Sequence, residues 1–594
     1  MASTRETDNM KPDAVPVREK AESVASDSDN SIDKHTATPK ANNEDAQEAK
    51  KDGPPAGAPP RGGPGGPPPP PGGYPGMKET VMVMSALLLA IFLMALDRTI
   101  IATAVPQITN EFNSLDDIGW YGSAFMLTAC AFQLLLGRIY TFFSPKYVFL
   151  TIIFIFEIGS AICGAAPNSI AFIIGRAIAG AGSAGIMSGA IVLMLNTVPL
   201  QKRPMYQGFF GACFGISSVI GPLMGGAFTT NVTWRWCFYI NLPIGGVAMA
   251  IIAFILKPMP PVRKGLTLGQ MLLNLDLLGE FFFMPSIVCL LLALQWGGST
   301  YAWSDGRIIA LFIVFGASFI AFILVQVFMQ KTATIPASII KNRNIVSGMW
   351  FTLFLASSMT TMVYFIPIWF QAVKGTSAVK SGIDTIPLVL SLVLGSISAG
   401  QLVSRIGYYT PFAMLSSIFM PIGTGLITTW QVSTGSGMWI GYQILFGFGI
   451  GVGMQQGSIA AQTVLNGKDI PTGVALMFFC QQFGGAIFVS VGQNLLSTRL
   501  VSGLAGIIDS SQIVNTGATE LRKLVPAQEL DTVLEVYNGA LRRVFIMACI
   551  LACFTALGSF TLQFKTVKKG GPGGPPPPGK GAAGPPPEKV EQKV

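Results

Sequence analysis

Two carboxylates and two guanidinium groups lie inside stretches that are otherwise apolar. Asp97 and Arg98 follow VMVMSALLLAIFLMA, Glu157 sits within FLTIIFIFEIGSAICG, and Arg176 within SIAFIIGRAIAGAG. A charge near the centre of a bilayer costs about 2.5–3.5 kcal/mol on the insertion scale, so such groups face a cavity or pair with one another. The chemistry these types suit is proton carriage. A carboxylate takes up or gives up a proton, and a nearby guanidinium holds it ionised until something disturbs the pair. The single histidine, His35, lies far from any apolar run, which leaves carboxylates as the relay. Asp276, Glu280 and Asp384 are the more peripheral acids.

Depth follows from the helical rise. Asp97 is expected roughly 13 Å, Glu157 roughly 15 Å and Arg176 roughly 9 Å from the outer ends of their helices, one charged layer in three helices of the same half. Arg98, counted with that layer, points about 100° away from Asp97. It is read as reaching toward the outer headgroups.

The elements that must position these groups are membrane spans. The chain has 594 residues, 50% hydrophobic and 12% charged, where soluble domains carry about 25% charged residues. Runs of roughly 20 apolar residues recur, enough to cross about 30 Å of hydrocarbon as helix. The pattern predicts an all-α polytopic membrane protein of about fourteen spans, the first near 81–105 and the last near 542–563. Its parts are a disordered cytosolic tail 1–79, a six-helix bundle 80–257 and a linker 258–330 carrying two extra spans. A second six-helix bundle covers 331–564, with an outer segment about 497–541 read as a short helix or cap, and a disordered Pro/Gly-rich tail 565–594 closes the chain.

Lys and Arg fix the direction of crossing. With both termini cytosolic, the inner short loops hold twelve of them, among them Arg138, Lys146, Arg263, Lys264, Lys341 and Arg405. The outer short loops hold Arg235, Arg307, Lys374 and Lys380, and the first outer loop carries Glu111, Asp116 and Asp117. The net charge of +9 is thus a membrane signal and excludes no-membrane readings such as nucleic-acid binding. Eight cysteines without a CxxC pair read as small buried apolar residues. Asn231-Val232-Thr233 is a sequon, read as unglycosylated so close to the membrane.

The chain resembles itself at an offset of roughly 265 residues. Gly137-Arg138-Ile139-Tyr140 answers Gly400-Gln401-Leu402-Val403; GRAIAGAGSAGIMSGA in span four answers GFGIGVGMQQGSIA in span twelve; Gly208 in span five answers Gly473 in span thirteen. Repeated halves are an architecture of alternating-access transporters, with the site between them.

At these residues the sequence resembles the major facilitator superfamily, and within it the fourteen-helix drug:proton antiporter branch of fungal toxin and secondary-metabolite efflux pumps. LDRTIIATAVP is similar to that branch's first-helix motif, GRAIAGAG to the fourth-helix motif with its Arg (Arg176), and WRWCFYINLPIGG to a branch signature. GISSVIGPLMGG is similar to the fifth-helix antiporter motif, with Gly215, Gly221, Pro222, Gly225 and Gly226. The resemblance spans about 80–565. It implies exchange by alternating access, close helix approach at the span-five glycines and cytosolic gating loops at Gly137, Arg138, Lys146, Gly400, Arg405 and Gly407. The chain departs from the family in one loop: GRIYTFFSPK has Thr141 where the motif has Asp, and Ser144 at the second Gly. The gating ion pair attributed to that Asp loses its acid here.

Cargo contacts are expected from Gln133, Gln455, Gln456, Gln481 and Gln482, and from Tyr364 and Gln371, seven residues apart on one helix face. No GxxxxGK[ST] occurs and no region is large enough for a nucleotide-binding domain, so ATP-driven pumping is disfavoured. The expectation is a non-enzymatic exporter of an amphipathic small organic compound. It has no cofactor beyond the proton gradient, and works as a monomer in the plasma membrane. The alternative is the same fold carrying siderophores or basic amino acids, in a vacuolar or vesicular membrane.

Overall fold

The computed structural model describes residues 73–114, 117–261, 267–298, 300–504 and 529–568. Residues 1–72 and 569–594 of the two tails, His35 among them, together with Asp116, Arg263, Lys264 and most of the outer segment, lie outside the described residues, and the helix of span one takes in Met77–Glu79 of the expected first tail.

Among the described residues, fourteen helices are long and apolar enough to cross a membrane. Spans one to six are Met77–Phe112, Gly119–Phe142, Pro145–Ala165, Ser169–Thr197, Leu200–Asn231 and Trp236–Ile255. Spans seven and eight are Leu277–Trp296 and Gly306–Phe328. Spans nine to fourteen are Arg343–Ala372, Val379–Ile406, Thr410–Ile427, Ser436–Val464, Ile470–Gly503 and Leu530–Thr561. The end of the bundle at which span one begins is called inner below.

Several boundaries differ from the sequence reading, and three of the differences bear on the fold. Span one runs through Pro106 to Phe112, as membrane helices accommodate proline. Span fourteen starts at Leu530, because Val533, Leu534, Tyr537 and Leu541 keep a helical spacing and are buried. Part of the expected outer cap is therefore the last span itself. Span twelve breaks between Gly453 and Gln456 and continues to Val464.

The internal repeat holds at the level of single contacts. Lipid offers no hydrophobic drive for helices to associate, so close packing of small residues holds them together. Gly180 of span four lies against Phe125 and Thr128 of span two, and Gly182 against Phe156 of span three. In the second half, Gly447 lies against Leu388 and Ser391 of span ten, and Gly449 against Met420 of span eleven. The halves meet through the same mirror. Gly137 abuts Pro471 and Ala475, while Gly400 abuts Pro204 and Gly208.

One apolar cluster near the inner end draws on both halves, with Val83, Leu87, Ile191, Met194, Ile345, Ile470, Val474 and Met477 among its buried members. Two others are each confined to one half: Ile100, Tyr121, Phe172, Trp234 and Phe238 in the first, and Trp369, Phe370, Trp430 and Phe545 in the second.

Span ten ends at Gly407 with φ +96°, a left-handed conformation that costs an L-residue about 1–2 kcal/mol. The Gly407 carbonyl accepts from the Val567 amide at 2.8 Å, tying the segment after span fourteen to this turn. Gly407→Ala is expected to lower the thermal unfolding temperature by a few degrees; an unchanged melting curve would contradict the strain.

Candidate functional site

Span one carries Asp97 and Arg98 on neighbouring faces, and the structure gives them different partners. Asp97 pairs with Arg176 of span four, Oδ2 to Nη1 at 2.5 Å, with side-chain exposures of 0% and 1%. Arg176 also donates from Nε to the Tyr121 carbonyl at 3.0 Å, and its guanidinium lies 4.6 Å from the centre of the Phe125 ring. The other Asp97 oxygen accepts from Asn241 Nδ2 of span six at 3.3 Å, and the same amide donates to Ser160 Oγ of span three at 3.1 Å. Spans four and six thus meet on the span-one carboxylate, and span three joins the junction through Asn241. A buried charge is tolerable when it is paired and its remaining lone pairs are met.

Glu157 does not join this pair, which corrects the expected three-charge layer. It is buried, both its oxygens lack a hydrogen-bond partner, and it faces Gly245 of span six so closely that a Cβ there would overlap it. Glu157 precedes Ser160 by three residues, and Gly245 follows Asn241 by four. The carboxyl therefore sits about one helical turn, roughly 5 Å, inward of the Asn241–Ser160 bond. The expected layer places Glu157 with Asp97 and Arg176; packed against Gly245, it hydrogen-bonds to neither.

Arg98 does not reach the outer headgroups. Its Nη1 donates to Gln482 Oε1 of span thirteen at 2.7 Å, joining the two halves mid-membrane. Of the expected cargo glutamines, Gln482 is thus engaged with Arg98, and Gln481 beside it is partly buried. Gln133 is buried with its Nε2 unpartnered. Gln455 and Gln456 are buried at the break in span twelve, each with an unpartnered Oε1. Gln371 donates to Ser381 Oγ at 3.2 Å, while Tyr364 is 50% exposed. The shared face read for those two therefore divides into one structural amide and one open phenol.

The span-five glycines serve two neighbours. Gly221 and Gly225 abut Thr99, Ile100 and Thr103 of span one, just beyond Asp97, whereas Gly215 abuts Leu392 and Val393 of span ten. Gly226 has Val379 as its neighbour at 3.8 Å, ordinary contact distance, so close packing does not require it. The helix continues through Pro222. Asn231 is the last residue of that helix, exposed, and donates to the Ala227 carbonyl.

The gating residues also separate. Gly137 and Gly400 lie where the halves touch. Lys146 is buried and caps span six through the Ala253 and Leu256 carbonyls at 2.7 and 2.5 Å, a cation at a helix C-terminus within one half rather than a gate. Arg405 is exposed, and Gly407 is a turn residue. Arg138 is buried and bonds the carbonyls of Asn274 and Thr332.

Asn241 and Ser160 escaped the site assignment, although Asn241 stands in the quoted WRWCFYINLPIGG; a buried amide in an apolar span was the available signal. The same stretch anchors the outer end. Trp234 Nε1 donates to Glu111 Oε2 at 2.6 Å, and Arg235 Nη2 lies 2.7 Å from Glu111 Oε1. In the second half, the residue matching Arg176 by repeat register is Gln443, whose Nε2 donates to the Asp384 carbonyl at 3.1 Å as Arg176 does to Tyr121. The bond survives there and the charge does not.

Comparison with known proteins gives consistent results. The sequence profile described as Major Facilitator Superfamily matches residues 87–489. The chain is 52% identical over 497 residues to "MFS-type efflux pump MFS1" of Arthroderma benhamiae, covering 83% of this chain and 92% of that protein. It is 49% identical over 500 residues to "Efflux pump aflT" of Aspergillus parasiticus, covering 83% and 97%. It is 50% identical over 498 residues to "Rubrofusarin-specific efflux pump aurT" of Gibberella zeae, covering 83% and 91%. Among solved structures, the human organic anion transporter MFSD10 (TETRAN) matches with a TM-score of 0.51 at 13% identity, over 80% of this chain and 99% of that one. The proton:xylose symporter XylE matches at 0.50 and 14%, over 77% and 98%; both likenesses concern the fold. With its fourteen spans, its mirrored halves and this profile, the chain belongs to the major facilitator superfamily of membrane transporters.

Proposed function

We propose that this protein exports an amphipathic small organic compound, of the secondary-metabolite or toxin class, in exchange for protons moving inward. The observation that carries the coupling is the enclosed Asp97–Arg176 pair with an unpartnered carboxyl, Glu157, one turn away. A proton on Asp97 would cancel its attraction for Arg176 and loosen the four-helix junction that Asn241 and Ser160 complete. The adjacent residue, Arg98, reaches the second half through Gln482, so a change at Asp97 is passed to the seam between halves. The relatives' names as efflux pumps support the direction of transport. The apolar cluster shared by both halves near the inner end supports a state closed at that end, and the Lys/Arg bias of the short loops supports a cytosolic inner side with both termini on it; the plasma membrane and a working monomer complete the proposal.

The test is transport in sealed vesicles under an imposed pH difference, screened against the host's own metabolites. Accumulation is expected to collapse when a protonophore dissipates the difference. Accumulation that persists undiminished would remove proton coupling.

A further inference from the structure

The last turn of span two lacks the motif's acid: Thr141, still helical, turns its hydroxyl back to the Gly137 carbonyl. The neighbouring Arg138 is nonetheless 2% exposed. It donates to the Asn274 carbonyl at 2.6 Å and the Thr332 carbonyl at 3.0 Å. These carbonyls flank the inserted spans, one just before span seven and one just after span eight. Asp276 locks that base. It holds φ +54° and accepts from Gly279 N at 3.0 Å, Gln326 Nε2 at 2.6 Å, and Thr334 N and Oγ1, both at 2.8 Å. One turn along span seven, Glu280 is 3% exposed with neither oxygen hydrogen-bonded. The charged groups that act on it are Asp276 from its own element and Arg138 from span two; Thr334, from the segment after span eight, commits its hydroxyl to Asp276. Span seven also reaches the second half, with the Phe283 ring 5.4 Å from that of Phe479 in span thirteen. Beside Arg138, Gly137 sits at the contact with Ala475 where the halves close.

We propose that the inserted hairpin is the latch of the inner gate, with Arg138 as its bolt and Glu280 as a second protonatable site that releases it. A buried carboxyl without donors is costly to ionise, so Glu280 stays protonated while the gate is shut and Arg138 rests on the two carbonyls. Once ionised, Glu280 competes for the guanidinium and draws Arg138 off the Thr332 carbonyl, so that span two stays paired with span seven but lets go of the segment leading from span eight into the second half. Arg138 and Glu280 are positioning residues, since neither touches cargo.

This rests on the exchange reading only in taking the inner face as cytosolic. The experiment places a cysteine at Met194, buried in the shared inner cluster. It then follows labelling by a membrane-impermeant maleimide from the inner face, over the signal of the parent chain. Arg138→Gln is expected to speed labelling about tenfold to a hundredfold, the factor that losing hydrogen bonds from a charged donor allows. Because the thiolate is the reacting form and its fraction falls with pH, each rate is divided by that of a cysteine placed at the exposed inner residue Arg405, measured at the same pH. Lowering the inner pH is expected to slow this relative rate when Glu280 is present and to leave it unchanged in Glu280→Gln. Labelling of Arg138→Gln at the unaltered rate, or a retained pH response of the relative rate in Glu280→Gln, overturns the latch. Asp97→Asn separates the two ideas. If it leaves pH-driven transport intact, the exchange reading fails while the labelling still reports on the latch.

Discussion

Asp97→Asn is expected to abolish pH-driven transport, with the initial rate falling at least roughly a hundredfold, and to destabilise the fold as well. The substitution keeps the size of the side chain and its place beside Asn241, and removes the charge that Arg176 faces. Both partners are enclosed. Removing one member of a buried pair strands the other and typically costs about 3–5 kcal/mol. The loss of function must therefore be separated from the loss of stability. Asp97→Asn with Arg176→Gln removes both charges and is expected to recover much of the melting temperature without recovering transport. The second-half mirror, where Gln443 makes the matching backbone bond without a charge, shows that a neutral side chain fits such a position. If the double variant exchanges cargo for protons at the unaltered rate, the pair is structural and the coupling site lies elsewhere. Glu157→Gln is the informative companion, since it makes the unpartnered carboxyl permanently neutral.

The second large effect is steric. Gly182→Leu is expected to remove most folded protein from the membrane, and Gly449→Leu to do the same through the mirrored contact. A Cβ at Gly182 would lie 2.6 Å from the Phe156 backbone nitrogen, and one at Gly449 2.6 Å from that of Met420. Backbone cannot swing aside as a side-chain tip can. Overpacking costs about 1–3 kcal/mol even where a core yields, and a whole leucine between two helix backbones asks for more. Gly226→Ala is the control, expected to be neutral because its nearest neighbour is 3.8 Å away. Fluorescence-detected gel filtration of the three variants reads the outcome. Gly182→Leu eluting at the normal level would show that spans three and four are not packed as described.

Much of this was legible beforehand. Hydropathy and the Lys/Arg bias act locally along the chain, so span number and the paired halves could be read without any contact. The repeat offset carried further: it paired Gly137 with Gly400, and each lies where the halves touch; the pairing of Gly180 with Gly447 came only from their contacts. Asp97 and Arg176 were readable as partners because burial in lipid leaves an unpaired charge few alternatives. Glu157 was misplaced because depth along a helix says nothing about azimuth, and a few tens of degrees decide between Arg176 and Gly245. Arg98 was sent outward for a related reason; its acceptor, Gln482, is 384 residues away, and no local rule finds it.

By itself, then, the sequence determined the class, the count of crossings, the doubled halves and the set of charges kept in hydrocarbon, all of which depend on transfer free energies summed over short windows. Only the tertiary structure decided which charges meet, that Lys146 caps a helix instead of gating, and that the inserted hairpin holds Arg138. Those outcomes hang on directional contacts between residues far apart in the chain, and direction is set when helices rotate against one another to fit their side chains.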